Sequence, residues 1–140
     1  VVMSPSGEVK NVIGAQGGGA GQFQQPVDVA VGPDGAIYAA DTMLNRRVQV
    51  FGADGKFRAQ WLTPWVNEFL PPATAVDRSG RIYMVDTLRA RVWEYASPDA
   101  KPVWWQGGGL RRPVGLALGE AGAIYLLDEE AKQVYQFTRP

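Results

Sequence analysis

Three aspartates, Asp41, Asp86 and Asp128, each end a short apolar segment, and arginines stand five or six residues after the first two, at Arg47 and Arg91. Carboxylates in series can do acid-base work or hold a hard cation. They can also serve as framework, each accepting hydrogen bonds from the loop that follows it and facing the neighbouring guanidinium. Recurrence at the same place in every copy of a repeat favours the framework reading. The sequence has no histidine and no cysteine. Classical triads, zinc hydrolase sites, thiolate metal sites and disulfides are therefore excluded. Asp28 is the one carboxylate outside the series placed to matter. It opens a segment where the later copies carry Thr74 and Gly115, and it is the weak candidate for a metal ligand. Oxygen-only ligation suits calcium, but a site needs several convergent polar groups.

The elements that hold these residues form an internal repeat. Pro26 to Asp41, Pro72 to Asp86 and Pro113 to Asp128 share a proline, an alternating apolar strand, a turn closed by glycine, then Ile-Tyr, two apolar residues and Asp. Gly35, Gly80 and Gly122 align, as do Ile37, Ile82 and Ile124, and Tyr38, Tyr83 and Tyr125. The aspartates recur after 45 and then 42 residues, a period that belongs to four-stranded propeller blades. Pro33-Asp34-Gly35, Ala53-Asp54-Gly55, Arg78-Ser79-Gly80, Glu120-Ala121-Gly122 and Pro5-Ser6-Gly7 supply hairpin tips with glycine where positive φ is needed. The fold class is all-β: about three four-stranded antiparallel blades, half of a six-bladed ring.

The expected organisation is a single propeller section over 1–140. Within it 1–14 form the last hairpin of a preceding blade, 23–61 and 70–105 form blades, and 110–138 form an incomplete blade that stops before its fourth strand. A spare outer strand at one end and a blade lacking one at the other are what ring closure requires. Propellers contain four to eight blades, so either two chains pair as a homodimer or the residues belong to a longer propeller. The glycine-rich stretch Gly14 to Gln22 fails as a phosphate loop, because no GxGxxG, no following lysine and no helix accompany it. Its return as Gln106-Gly107-Gly108-Gly109 marks it as the crossover between blades.

The first copy, ending in Asp41-Thr42-Met43-Leu44-Asn45-Arg46-Arg47-Val48-Gln49-Val50-Phe51, resembles the NHL repeat, with one residue more than that motif between Asp and Val. The second copy keeps Asp86 and Arg91 but lacks the Asn, and the third, Asp128 to Phe137, also loses the Arg. The resemblance implies a rigid platform for protein, RNA or glycan ligands and no single activity. By family habit it also implies an extracytoplasmic bacterial setting.

Lys and Arg total 14 and Asp and Glu total 14, so no long-range field selects nucleic acid or an anionic membrane. No apolar run approaches the length that spans a bilayer, and membrane insertion is not expected. The function expected is therefore non-enzymatic: a binding or scaffolding module acting through local patches. Strand alternation places the crossovers and the loops after the recurring aspartates on one face. If Arg47 and Arg91 are neutralised by their aspartates, Arg46, Arg89, Arg111 and Arg112 remain there as a basic arc suited to carboxylate or phosphate. Trp65 and Phe69, in the long crossover Leu62 to Pro72, are candidate aromatic anchors for a protein partner, with RNA or glycan as other possibilities. The rival reading is a calcium-dependent, lactonase-like propeller hydrolase whose site is completed by Asp28 and by carboxylates of other blades.

Overall fold

The computed structural model describes residues 2–42, 44–63 and 73–138, and among them there is no α-helix. Strands β1 (Val2–Met3) and β2 (Val9–Asn11) form a hairpin, and β3 (Ala15–Gln16) pairs in parallel with β4 (Gln22–Phe23) across the glycine-rich crossover. Three antiparallel sheets follow in chain order. The first runs β5 (Pro26–Val31), β6 (Ile37–Asp41), β7 (Arg47–Phe51) and β8 (Phe57–Leu62). The second runs β9 (Thr74–Val76), β10 (Ile82–Asp86), β11 (Arg91–Tyr95) and β12 (Val103–Trp105). The third has three strands, β13 (Pro113–Leu118), β14 (Ala123–Asp128) and β15 (Gln133–Thr138).

The turn chemistry read from sequence appears as one repeated device. Ser4, Gly32, Gly52, Asp77 and Gly119 each donate their N–H to the carbonyl four residues ahead. The glycines Gly7, Gly35, Gly55, Gly80 and Gly122 all have positive φ, between 76° and 84°. This is a tight hairpin loop closed by a left-handed residue, which costs glycine nothing and other residues about 1–2 kcal/mol. The loop leading into the third strand of each sheet uses the same region without glycine. Arg46, Ala90 and Lys132, one residue before β7, β11 and β15, have φ of 41°, 50° and 57°.

The core lies between sheets. Because strand side chains alternate, each sheet has a forward face toward the next sheet and a rear face toward the previous one. Tyr38, Ala40, Val48 and Val50 of the first sheet meet Ile82, Met84, Trp93 and Tyr95 of the second. Tyr83, Val85 and Val92 on the opposite face of the second meet Ile124 and Leu126 of the third, with Tyr135 and Phe137 packed alongside. The second sheet is thus covered on both faces, and β10 is buried along its whole length. Burying each such aliphatic side chain contributes roughly 1.5–3 kcal/mol. The innermost strands β5 and β9 are tied directly, since Thr74 donates its backbone N–H to Asp28 Oδ2.

Candidate binding face

Register places the recurring aspartates. Pro26 pairs with Asp41 and Pro113 with Asp128, so the start of each innermost strand meets the end of the second strand on one face, where the crossovers and the loops before the third strands also lie. All three aspartates are buried, at 1%, 2% and 0% exposure. Asp41 Oδ1 accepts the N–H groups of Gln24 and Gln25 at 3.1 and 2.8 Å, and Oδ2 accepts Asn45 Nδ2 at 2.6 Å. Asp128 accepts the N–H groups of Arg111 at 2.7 Å, Arg112 at 3.0 Å and Ala131 at 2.9 Å. Burial works to raise the Asp128 carboxyl, but these N–H donors outweigh it and hold the group below the usual carboxylate range. Asp86 accepts Arg89 N–H at 3.2 Å and Arg91 Nε at 3.0 Å.

The carboxylates therefore act as staples. The sequence reading had each aspartate bonded to its own following loop. The structure adds that Asp41 and Asp128 also collect the backbone of the incoming crossover, which pins the first and third inner strands. Isolated donors of this kind leave no mark in the sequence, because any residue supplies a backbone N–H.

Arg47, at 5% exposure, is part of the same framework. Its Nη1 donates to Gln60 Oε1 at 2.8 Å, and its Nη2 donates to the carbonyls of Gly19 and Gln22 at 2.9 and 2.8 Å. Its Nε stands 3.6 Å from Asp41 Oδ2. The guanidinium thus clamps the glycine-rich crossover, a role that suits a rigid fork of donors. Gln49, two residues on and on the same face of β7, assists by accepting the Gly21 N–H and donating to the Gln22 carbonyl. Arg91 pairs with Asp86 and lies over the rings of Trp93 and Trp104, 4.5 and 5.1 Å from their centroids.

Asp28 does not collect other carboxylates. Its Oδ2 is occupied by the Thr74 N–H, and among the described residues no group of three or more His, Cys, Asp or Glu is arranged to hold a metal ion. The structure makes Asp28 a link between adjacent inner strands.

Arg46, Arg89, Arg111 and Arg112 are all exposed on the crossover face. Arg89 Nη1 lies 3.4 Å from Asp86 and Arg112 Nε 3.5 Å from Glu129. Arg46 and Arg111 make no ion pair with a described residue. Trp65 and Phe69 fall outside the described residues. The sequence reading missed two apolar neighbours of the arc: Leu44 is 78% exposed and Leu88 62% exposed, both in the loops that follow the recurring aspartates. Their signal is legible in retrospect, since a leucine at the tip of a polar loop has no strand pattern to bury it.

No protein-family model matches the chain, and no curated protein sequence matches it. Solved structures do. A gluconolactonase from Xanthomonas campestris superposes with a TM-score of 0.64 at 16% identity, covering 85% of this chain and 39% of that one. A streptogramin B lyase superposes with a TM-score of 0.60 at 16% identity, covering 86% and 41%. A catalytically inactive virginiamycin B lyase from Staphylococcus aureus, solved with quinupristin, gives 0.55 at 15% identity, covering 99% and 47%. The likeness establishes a β-propeller fold. The chain spans less than half the length of the structures it matches.

Proposed function

We propose that this chain is part of an NHL-like propeller that binds a protein segment carrying acidic and apolar residues on its crossover face. The observation that carries this reading is a division of labour on that face. The buried carboxylates and Arg47 are consumed in holding the loops, while Arg46 and Arg111 stand exposed and without an ion partner among the described residues. Leu44 and Leu88 stand exposed beside Arg46 and Arg89. Exposed apolar anchors ringed by arginine suit a protein partner. RNA would call for stacking aromatics interleaved with the basic groups.

A second reading, propeller hydrolase or lyase, is favoured by the names of the matched structures, which include a lactonase and lyases. At 16% identity those names convey the fold and no activity.

Fluorescence anisotropy of a labelled peptide of alternating glutamate and leucine tests the first reading, with oligouridine RNA and calcium calorimetry run in parallel. Saturable peptide binding, weakened at least tenfold by Arg46→Glu with Leu88→Ser and weakened by salt, is expected. Peptide binding unaffected by those substitutions, or stoichiometric tight calcium binding with lactone hydrolysis, overturns it.

A further inference from the structure

The first two sheets fill three equivalent positions differently. In the first they hold Arg47, Gln49 and Gln60, with Gln49 paired to Gln60 across β7 and β8. Gln60 Oε1 accepts Arg47 Nη1, and Arg47 and Gln49 bond the glycine-rich crossover. In the second sheet the same positions hold Arg91, Trp93 and Trp104, with Trp93 paired to Trp104. Strand alternation sets Trp104 on the same face as Trp93, which packs toward the first sheet. Trp93 is buried, but Trp104 is 54% exposed. Leaving half of an indole in water forgoes much of the free energy that its burial would release. A glutamine holds the arginine at this place in the first sheet, so the framework does not demand an indole there. Nor does the exposure stem from a missing neighbour, since the second sheet has four strands and a sheet packed against each face.

Trp104 is joined to the crossover face by a short chain of contacts. The Arg91 guanidinium lies over its ring, 5.1 Å from the centroid. Arg91 Nε in turn stands 3.0 Å from Asp86 Oδ2, and the same oxygen takes Arg89 Nη1 at 3.4 Å. One buried carboxylate therefore positions both the half-exposed Arg89 and, through Arg91, the exposed indole. Leu88, next to Arg89 in the chain, is exposed as well. A ring already fixed by a cation over it loses little freedom when a partner binds.

We infer that Trp104 is the aromatic anchor of the peptide site, receiving an apolar side chain of the partner while Arg89 pairs with an acidic residue beside it. The inference deepens the proposed function and rests on it for the class of partner. Tryptophan and arginine are the side chains that most often dominate such interfaces. A protein segment suits the site better than RNA. Phe57 is the only other exposed aromatic residue among those described, and it follows the Ala53-Asp54-Gly55 hairpin tip at the opposite end of its sheet. Successive bases would find no second ring beside Trp104 on which to stack.

The test uses the 140-residue chain and the labelled glutamate–leucine peptide, with two readouts. The Trp104 share of the fluorescence is the difference between wild type and Trp104→Phe. Acrylamide is expected to quench it in the free chain, and the peptide to protect it. By anisotropy, Trp104→Ala is expected to weaken binding about fivefold or more. Trp104→Phe, which keeps a ring, is expected to weaken it by no more than about twofold. Both substitutions alter an exposed side chain, so both variants are expected to keep the wild-type circular dichroism. Equal binding by wild type and Trp104→Ala overturns the inference and leaves the crossover-face reading standing. Binding that falls with Trp104→Ala but ignores Arg46→Glu with Leu88→Ser upholds the anchor and overturns the wider face. Absence of peptide binding by the wild type, a Trp104 signal closed to acrylamide in the free chain, or displacement of the peptide by oligouridine overturns the anchor.

Discussion

Replacing Asp128 by Asn tests whether the recurring carboxylates are structural staples. The side chain is fully buried and accepts three backbone N–H groups, from Arg111, Arg112 and Ala131. An amide keeps one acceptor oxygen and turns an NH₂ toward donors that the carboxylate satisfied. At least one buried N–H is left unpaired, costing about 1–3 kcal/mol, and the remaining bonds lose the charge assistance that roughly doubles their strength. The sum is about 2–4 kcal/mol, well within the roughly 5–15 kcal/mol of a small domain, so the variant folds. Trp105, whose ring centroid lies 5.3 Å from that of Phe137, reports on the third sheet during urea unfolding. The pH dependence gives a second readout. Burial opposes ionisation of Asp128, but the N–H bonds prevail and its folded pKa lies below the ordinary value. The unfolded chain therefore takes up the proton first as pH falls. The stabilisation is complete above the ordinary carboxylate pKa and is lost below it, as pH drops toward the folded pKa. The gap between wild type and variant is expected to be full at neutral pH and to shrink in acid. A variant within about 0.5 kcal/mol of wild type at pH 7, below the cost of even one lost hydrogen bond, or a gap unchanged in acid, refutes the staple.

Arg47→Lys keeps the charge but loses the fork that holds the Gly19 and Gln22 carbonyls, and a loss of about 2–3 kcal/mol is expected in urea titrations. Lys132 sits at φ 57°, so Lys132→Val is expected to lower stability by about 1 kcal/mol while Lys132→Gly does not lower it, as thermal melts would show. Burial pushes the Tyr95 hydroxyl up to about 12, only partly offset by the neighbouring Trp61. The unfolded tyrosine ionises first as pH rises, so its contribution is intact below pH 10 and lost between 10 and about 12. Tyr95→Phe is expected to flatten that alkaline limb by about 2–3 kcal/mol.

The repeat was legible because its determinants are local. Gly35, Gly80 and Gly122 demand a backbone state that the sequence states outright, and the Ile-Tyr strands declare their alternation. The burial of Trp93 in the joint between the first and second sheets also follows from its place in a strand. What did not show was interaction through the main chain. The donors to Asp41 are Gln24 and Gln25, and the donor to Asp28 is Thr74, and in each case the side chain of the donor residue is irrelevant to the bond. Asp28, the weak metal candidate of the sequence, is also tied to the neighbouring inner strand by the Thr74 N–H, a bond that no side chain in the sequence announces. Arg47 was read as a counter-ion to Asp41, although most of its bonds go to carbonyls. Leu44 and Leu88 escaped because loop leucines carry no periodicity.

The double covering of the second sheet sets an order in time. Amides in β10 and β11 are shielded by a joint on each face, whereas the first and third sheets each have one face covered by a neighbouring sheet of the chain. In a stack whose members touch only their neighbours, opening proceeds inward from the ends. In the 140-residue chain on its own, deuterium should therefore enter β13 to β15 and β5 to β8 first and reach Met84 and Val92 last, so that the labelling pattern counts the joints that shield each strand.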